Sequence, residues 1–195
     1  MRAIKILSVL TFCLLGGGAA WAEMGDDGLH KQPWFLDSFL ELQDDLAEAT
    51  AEGKDLIILV EQKGCPYCRE LHEVNFARPE IVDFINAHYV VVQLDMFGSR
   101  AVVDFDGEEL EERALALKWG LNFTPTTLIF TADTGTPETV EDTLALALPG
   151  YLKPFHYMTA LEFVAADEYQ DIVFQRYLQA KIQSLVDQGI EPDVW

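Results

Sequence analysis

Cysteine is scarce in this chain: three in 195 residues. A secreted scaffold stapled by disulfides carries several spaced pairs, so that architecture is excluded. Basic residues are scarce too. Thirteen Lys and Arg face 33 Asp and Glu, for a formal net charge of −20. Nucleic-acid binding needs a basic face, so that function is excluded, and docking on anionic lipid is disfavoured. Such a charge makes a soluble, self-repelling surface, and it is also compatible with a basic partner. Internal repeats, low-complexity tracts and interdomain linkers are missing as well, which leaves one domain with its own core.

The amino terminus explains one of the cysteines. Arg2 and Lys5 precede an apolar run from Ile6 to Leu15, and Ala20-Trp21-Ala22 is a small-x-small cleavage pattern. The run is short against the roughly 20 residues that span a bilayer, so a retained anchor is the weaker reading. Cys13 follows the bulky Phe12 rather than the small residue a lipid-attachment signal wants. Residues 1–22 are therefore expected to be a signal peptide cleaved after Ala22, directing the chain to a bacterial periplasm. Only Cys65 and Cys68 then remain.

Periodicity gives the elements. After a polar leader, residues 23–33, the pattern Phe35, Phe39, Leu42, Leu46, Ala49 predicts a helix that Gly53 stops. "DLIILVE" (55–61) and "YVVVQLD" (89–95) are continuous apolar runs of the kind found in strands buried on both faces. A helix is expected from the cysteines to about Phe76, and another from Pro79, proline being suited to a first helical position. Residues 96–107 look like a loop with at most a short strand. "EELEERALALKWG" predicts a helix ended by Gly120. "TTLIFTAD" and "DTLALALPG" are expected strands joined by the turn-rich "TGTPETVE", and two helices meeting near Ala166–Glu168 close the chain. Strands separated by helices favour parallel pairing, and the directly joined last two favour a hairpin. The fold class expected is α/β, a mixed central sheet flanked by helices. One domain, 34–195, would carry an extra amino-terminal helix and a carboxy-terminal helical extension from about residue 167.

The segment "EQKGCPYCRELHE" (61–73) holds the chemistry. Covalent haem needs CxxCH, and Arg69 stands in the histidine's place. Zinc could recruit Cys65, Cys68 and His72, but a structural site wants four ligands, and His30, His88 and His156 are remote in sequence. A helix-surface position is the plainer reading of His72. A staple closing so short a loop would constrain little chain. A reversible redox couple uses every local feature. Cys65 lies where a strand gives way to a helix, Pro66 presets the first turn, and helix amides there favour a thiolate. Lys63 and Arg69 add modest positive charge. Cys65 would attack, and Cys68, one turn on, would resolve the mixed disulfide.

CPYC after an apolar strand, "FTPTTLIF" downstream and "LPGYLKP" before a late helix together resemble the thioredoxin-fold oxidoreductases. The resemblance implies a cis proline at Pro125 facing the cysteines. It also implies a Thr124 backbone free to pair with an extended substrate, and supporting places for Pro66 and Tyr67 between the two sulfurs. "GCPYCRELHEVNFARPEIVDFI", "VVQLDMFGSRAVVDFDGEEL", "ALKWGLNFTPT", "PGYLKPFHYMTALEFV" and "FQRYLQ" are similar to the SoxW-like periplasmic thioredoxins associated with sulfur-compound oxidation, over roughly residues 34–180. One position departs. The family's buried acid, six residues before the first cysteine, is Leu59 here. Glu61 shares its strand parity and is either the substitute or a strand-end carboxylate reaching solvent. Trp34 is either an active-site aromatic or, better, a packing residue at a helix entry.

The resemblance further implies a reductase of protein disulfides, monomeric and without cofactor, recharged by a membrane electron donor of the DsbD or CcdA type. A DsbA-like oxidase would carry a large helical insertion, for which the roughly 30 residues from Leu94 to Pro125 leave no room. An isomerase of the DsbC kind would need a dimerisation domain. Glutathione suits an exported chain less well than protein disulfides do. A disulfide-donating oxidase and a metal-binding, non-catalytic module stay as rival readings.

Overall fold

The computed structural model describes residues 23–131, 139–140 and 143–191. The expected signal peptide and most of the 134–141 connection lie outside the described residues. Among the described residues, eight strands and six α-helices follow in chain order: β1 (Glu23–Met24), β2 (His30–Lys31), α1 (Leu42–Ala51), β3 (Asp55–Glu61), α2 (Pro66–Glu70), α3 (Pro79–His88), β4 (Tyr89–Asp95), β5 (Ala101–Val103), β6 (Glu109–Glu111), α4 (Glu112–Lys118), β7 (Thr126–Phe130), β8 (Leu144–Pro149), α5 (Pro154–Ala165) and α6 (Phe174–Asp187). α2 runs on into a π-helical turn, Leu71–Asn75.

The central sheet has the order β4-β3-β7-β8. β3 pairs parallel with β4, β7 antiparallel with β3, and β8 antiparallel with β7. The sheet is mixed for the reason the connections require. Strand alternation divides its core in two. Leu56, Ile58 and Val60 point to one face, where Leu42, Leu46, Phe105 and Leu115 cover them. Ile57 and Leu59 point to the other, against Leu71, Phe76, Ile81, Tyr157 and Leu161. Both faces being covered accounts for the unbroken apolar runs of β3 and β4.

One amino-terminal expectation needs correcting. The first helix begins at Leu42, not before it. Leu40 takes a positive φ of 63°, and Phe39 is 95 % exposed. Phe35 belongs to the face holding Phe76, whereas Leu42 and Leu46 lie on the opposite face. One straight helix cannot serve both faces, so the segment crosses the sheet edge instead. There the Leu36 N–H donates to the Val91 carbonyl at 2.8 Å, covering the β4 edge. The leader also has structure. β1 and β2 form a small antiparallel hairpin with Leu29 buried beneath it.

Residues 96–107 begin a second hairpin, β5–β6, and the helix expected from residue 108 begins only at Glu112 because Glu109–Glu111 are used as strand. At the carboxy terminus α6 lays one stripe against α5. Phe163 touches the rings of Phe174 and Tyr177 at 5.6 and 5.3 Å between centroids.

Candidate active site

β3 ends at Glu61, and the chain turns through Gly64, at a φ of 72° that favours glycine, before Cys65. Cys65 caps α2 with extended backbone angles, and Pro66 occupies the first helical position. The Cys68 N–H donates to Cys65 Sγ at 3.0 Å. This amide is an orphan donor at a helix start, so sulfur takes the place a capping oxygen would fill. Cys65 and Cys68 are disulfide-bonded, with Cα atoms 5.2 Å apart. Cys65 is 5 % exposed and Cys68 1 %, so of the two sulfur-bearing residues the first is the more accessible.

The loop before β7 closes the site from the other side. Thr124 Oγ1 lies 3.4 Å and the Thr124 carbonyl oxygen 3.5 Å from Cys65 Sγ. The Thr124–Pro125 peptide bond is cis, and the Pro125 carbonyl accepts from the Gly150 N–H at 2.8 Å, tying this loop to the "LPG" turn before α5. Tyr67, between the cysteines, is exposed and stacks on Tyr151 at 6.4 Å. Phe123, beside Thr124, is exposed as well. Trp34 meets Phe35 and Phe76 edge-on at 4.7 and 5.1 Å, a packing role.

Beneath the cysteines the structure decides between the two readings of Glu61 and corrects the reading of His72. Glu61 does not reach solvent: it is 1 % exposed. His72 is not on the helix surface: it is 2 % exposed, four residues after Cys68 and turned inward with it. His72 Nε2 and Glu61 Oε2 are 3.1 Å apart, and the Gln93 amide also donates to Glu61 Oε2. Gln32, from the leader, places its Nε2 3.2 Å from His72 Nδ1. Both imidazole nitrogens are thus engaged away from the sulfurs, which deprives a Cys65–Cys68–His72 zinc site of its third ligand. Nor is there, among the described residues, a group of three or more His, Cys, Asp or Glu placed to hold a metal ion.

Burial lowers the proton affinity of His30, whose ring centroid is 5.4 Å from that of His72. Burial likewise drives the Tyr157 hydroxyl well above the ordinary tyrosine value, with the nearby Glu61 charge adding to the effect. Glu61 was detectable from its strand parity, and His72 from its one-turn spacing after Cys68. Gln32 and Gln93 gave no local signal, because only the folded leader and the parallel β3–β4 register bring them there.

A family model for a thioredoxin-like domain matches residues 42–165. No curated protein matches the chain at the sequence level. Among solved structures, a thioredoxin-fold protein from Helicobacter pylori is similar at 21 % identity with a TM-score of 0.51, covering 70 % of this chain and 84 % of its own. A thioredoxin from Thermus thermophilus is similar at 20 % identity with a TM-score of 0.50, over 64 % of this chain and 83 % of its own. Both likenesses are of fold. The chain belongs to the thioredoxin-like domain family, and its Cys65–Cys68 pair makes it a thiol–disulfide oxidoreductase of that fold.

Proposed function

We propose that this protein is a periplasmic reductase of protein disulfides, monomeric and of the SoxW-like kind, serving a pathway of sulfur-compound oxidation. The observation that carries the chemistry is the environment of Cys65 Sγ. It takes the Cys68 amide at 3.0 Å and lies against Thr124 at the mouth of the site. An amide already directed at that sulfur favours its anion, and the thiolate is the nucleophile in disulfide exchange.

The reduced protein would act in two steps. Cys65 thiolate attacks one sulfur of a client disulfide, forming a mixed disulfide and releasing the client's other sulfur as a thiolate that is then protonated. Cys68 loses its proton and attacks Cys65 Sγ. The Cys65–Cys68 bond forms, the bond to the client breaks, and the second client sulfur leaves with the electron pair. The client gains two electrons and two protons. Pro66 holds the helix start, and Tyr67, Thr124 and Pro125 frame the client. Glu61, buried on the sheet face under α2, receives the Cys68 proton. A membrane donor of the DsbD or CcdA type would return the electrons.

Reduction is favoured over disulfide donation by the short span from β4 to Pro125, which β5, β6 and α4 fill with no helical insertion. Export is supported by the sequence pattern of residues 1–22.

The test is a pair of variants. Cys68→Ser is expected to trap clients as mixed disulfides on Cys65, and Cys65→Ser to abolish both trapping and turnover. Wild-type reduction rates in both variants would refute the mechanism. A midpoint potential well above about −200 mV would assign the protein to disulfide donation instead.

A further inference from the structure

The cluster under the cysteines does not satisfy all of its acceptors. Lys31 Nζ donates to Gln93 Oε1 at 2.6 Å, which fixes that amide's orientation. Gln93 then spends both Nε2 hydrogens, one on Glu61 Oε2 and one on the His30 carbonyl at 2.7 Å. His72 Nδ1 accepts from Gln32, so the ring's hydrogen is on Nε2 and goes to Glu61 Oε2. Two buried oxygens are left without a partner, Glu61 Oε1 and Gln32 Oε1. An empty buried acceptor is costly, the more so when it is charged. Such an arrangement is relieved by adding a proton.

We propose, building on the oxidoreductase reading, that His72 and Gln32 are part of the proton-handling machinery, Glu61 and His72 sharing the proton that Cys68 gives up while Gln32 turns its amide to follow it. A second hydrogen on His72, at Nδ1, faces the Gln32 nitrogen and repels it. A half-turn of that amide presents Oε1 instead, so the empty acceptor becomes a bonded one. In the resolving step the Cys68 Sγ–H proton passes to the pair, the Cys65–Cys68 bond forms, and the client sulfur departs with its electrons. The proton later returns to solvent. The leader is thereby part of the site, since it supplies Gln32 and, through Phe35 at 5.7 Å from His72, a dry cover.

Other groups act on the pair. His30 and Lys31 face it from the leader, Gln93 from β4 and Tyr157 from α5. Arg69 and Glu73 lie on the same helical stretch. The His30 ring centroid is 5.4 Å from that of His72, and burial lowers its proton affinity.

The full-length wild-type protein provides the first test. The imidazole nitrogen resonances of His72 are followed from pH 5.5 to 9 in the disulfide and dithiol forms. Titration behaviour or tautomer that differs between the two forms is expected. Identical curves in both would overturn the proposal. The second test uses thionitrobenzoate as the leaving group, attached to Cys65 as a mixed disulfide whose colour appears as Cys68 displaces it. His72→Gln and Gln32→Leu are each expected to slow release at neutral pH, His72→Gln by about 10²-fold, and to move the rate's rise to higher pH. Release at wild-type rates and with the wild-type pH profile in both variants would overturn the proposal while leaving dithiol chemistry intact. Failure of the wild-type pair to cycle with dithiothreitol would instead overturn the oxidoreductase reading itself.

Discussion

Gly98 is held against the buried carboxylate of Glu112, which organises the loop after β4. Glu112 accepts from the Asp95 N–H at 2.8 Å, the Arg100 N–H at 3.2 Å and the Arg100 guanidinium at 2.6 Å. A Cβ on Gly98 would run into that carboxylate and come within 2.9 Å of Asp95 Cβ. Gly98→Ala is therefore expected to cost about 1–3 kcal/mol in chemical denaturation, the usual range for forcing atoms into packed space. An unchanged denaturation midpoint would show that Glu112 can move aside freely. Residue by residue, the sequence was most informative where one side chain has one role. The cysteines and Pro66 could be read directly because their chemistry and spacing are local. Whether Glu61 was buried could not be read, because a carboxylate at a strand end is cheap in water and costly inside. Only its partners, His72 and Gln93, decide between the two, and these arrive from two other segments.

Among the elements, α4 depends on one lysine. Lys118 Nζ is 2.7 Å from Asp104 and 2.9 Å from Glu108, with Asp106 also in contact. The bond to Asp104, then that to Asp106, raises the Lys118 proton affinity far above the ordinary value, so its stabilisation is complete at neutral pH and lost only in strong alkali. Asp106 is shifted down, chiefly by its hydrogen bond to Lys118, so its share is present above the ordinary value of 3.8 and lost as acid protonates it. Lys118→Met would leave three carboxylates crowded together without their cation, Asp104 among them buried. It is expected to lower the thermal midpoint at pH 7, with the deficit shrinking below about pH 4 as carboxylates protonate. A deficit that stayed constant with pH would point to lost packing instead. β3 and β4, with their continuous apolar runs, and α3, opened by Pro79, were legible in full. The amino-terminal helix was misplaced because its apolar residues serve opposite faces of the sheet, which periodicity alone does not reveal. A short strand within residues 96–107 was legible and is β5, but β1, β2 and β6 were not: two- and three-residue strands are too short to show alternation.

At the scale of the whole molecule, charge and redox chemistry dominate. A net charge of −20 repels itself across the folded surface. Raising sodium chloride from about 20 to 500 mM shortens the screening length severalfold, and the thermal midpoint is expected to rise. A fall would mean that ion pairs such as those of Lys118 outweigh the net repulsion. The overall architecture was legible because connection order constrains a mixed sheet strongly, whereas the docking of the leader onto the sheet edge was not, its few apolar residues being outnumbered by polar ones. The reactivity of Cys65 bears most directly on the protein's role, and its alkylation rate with iodoacetamide, measured against pH in the fully reduced protein, tests it. Cys65 is expected to react as a thiolate well below pH 8.5, about where free cysteine ionises. A rate that rises only at that value, as in an unassisted thiol, would contradict the reading of Cys65 as the attacking sulfur.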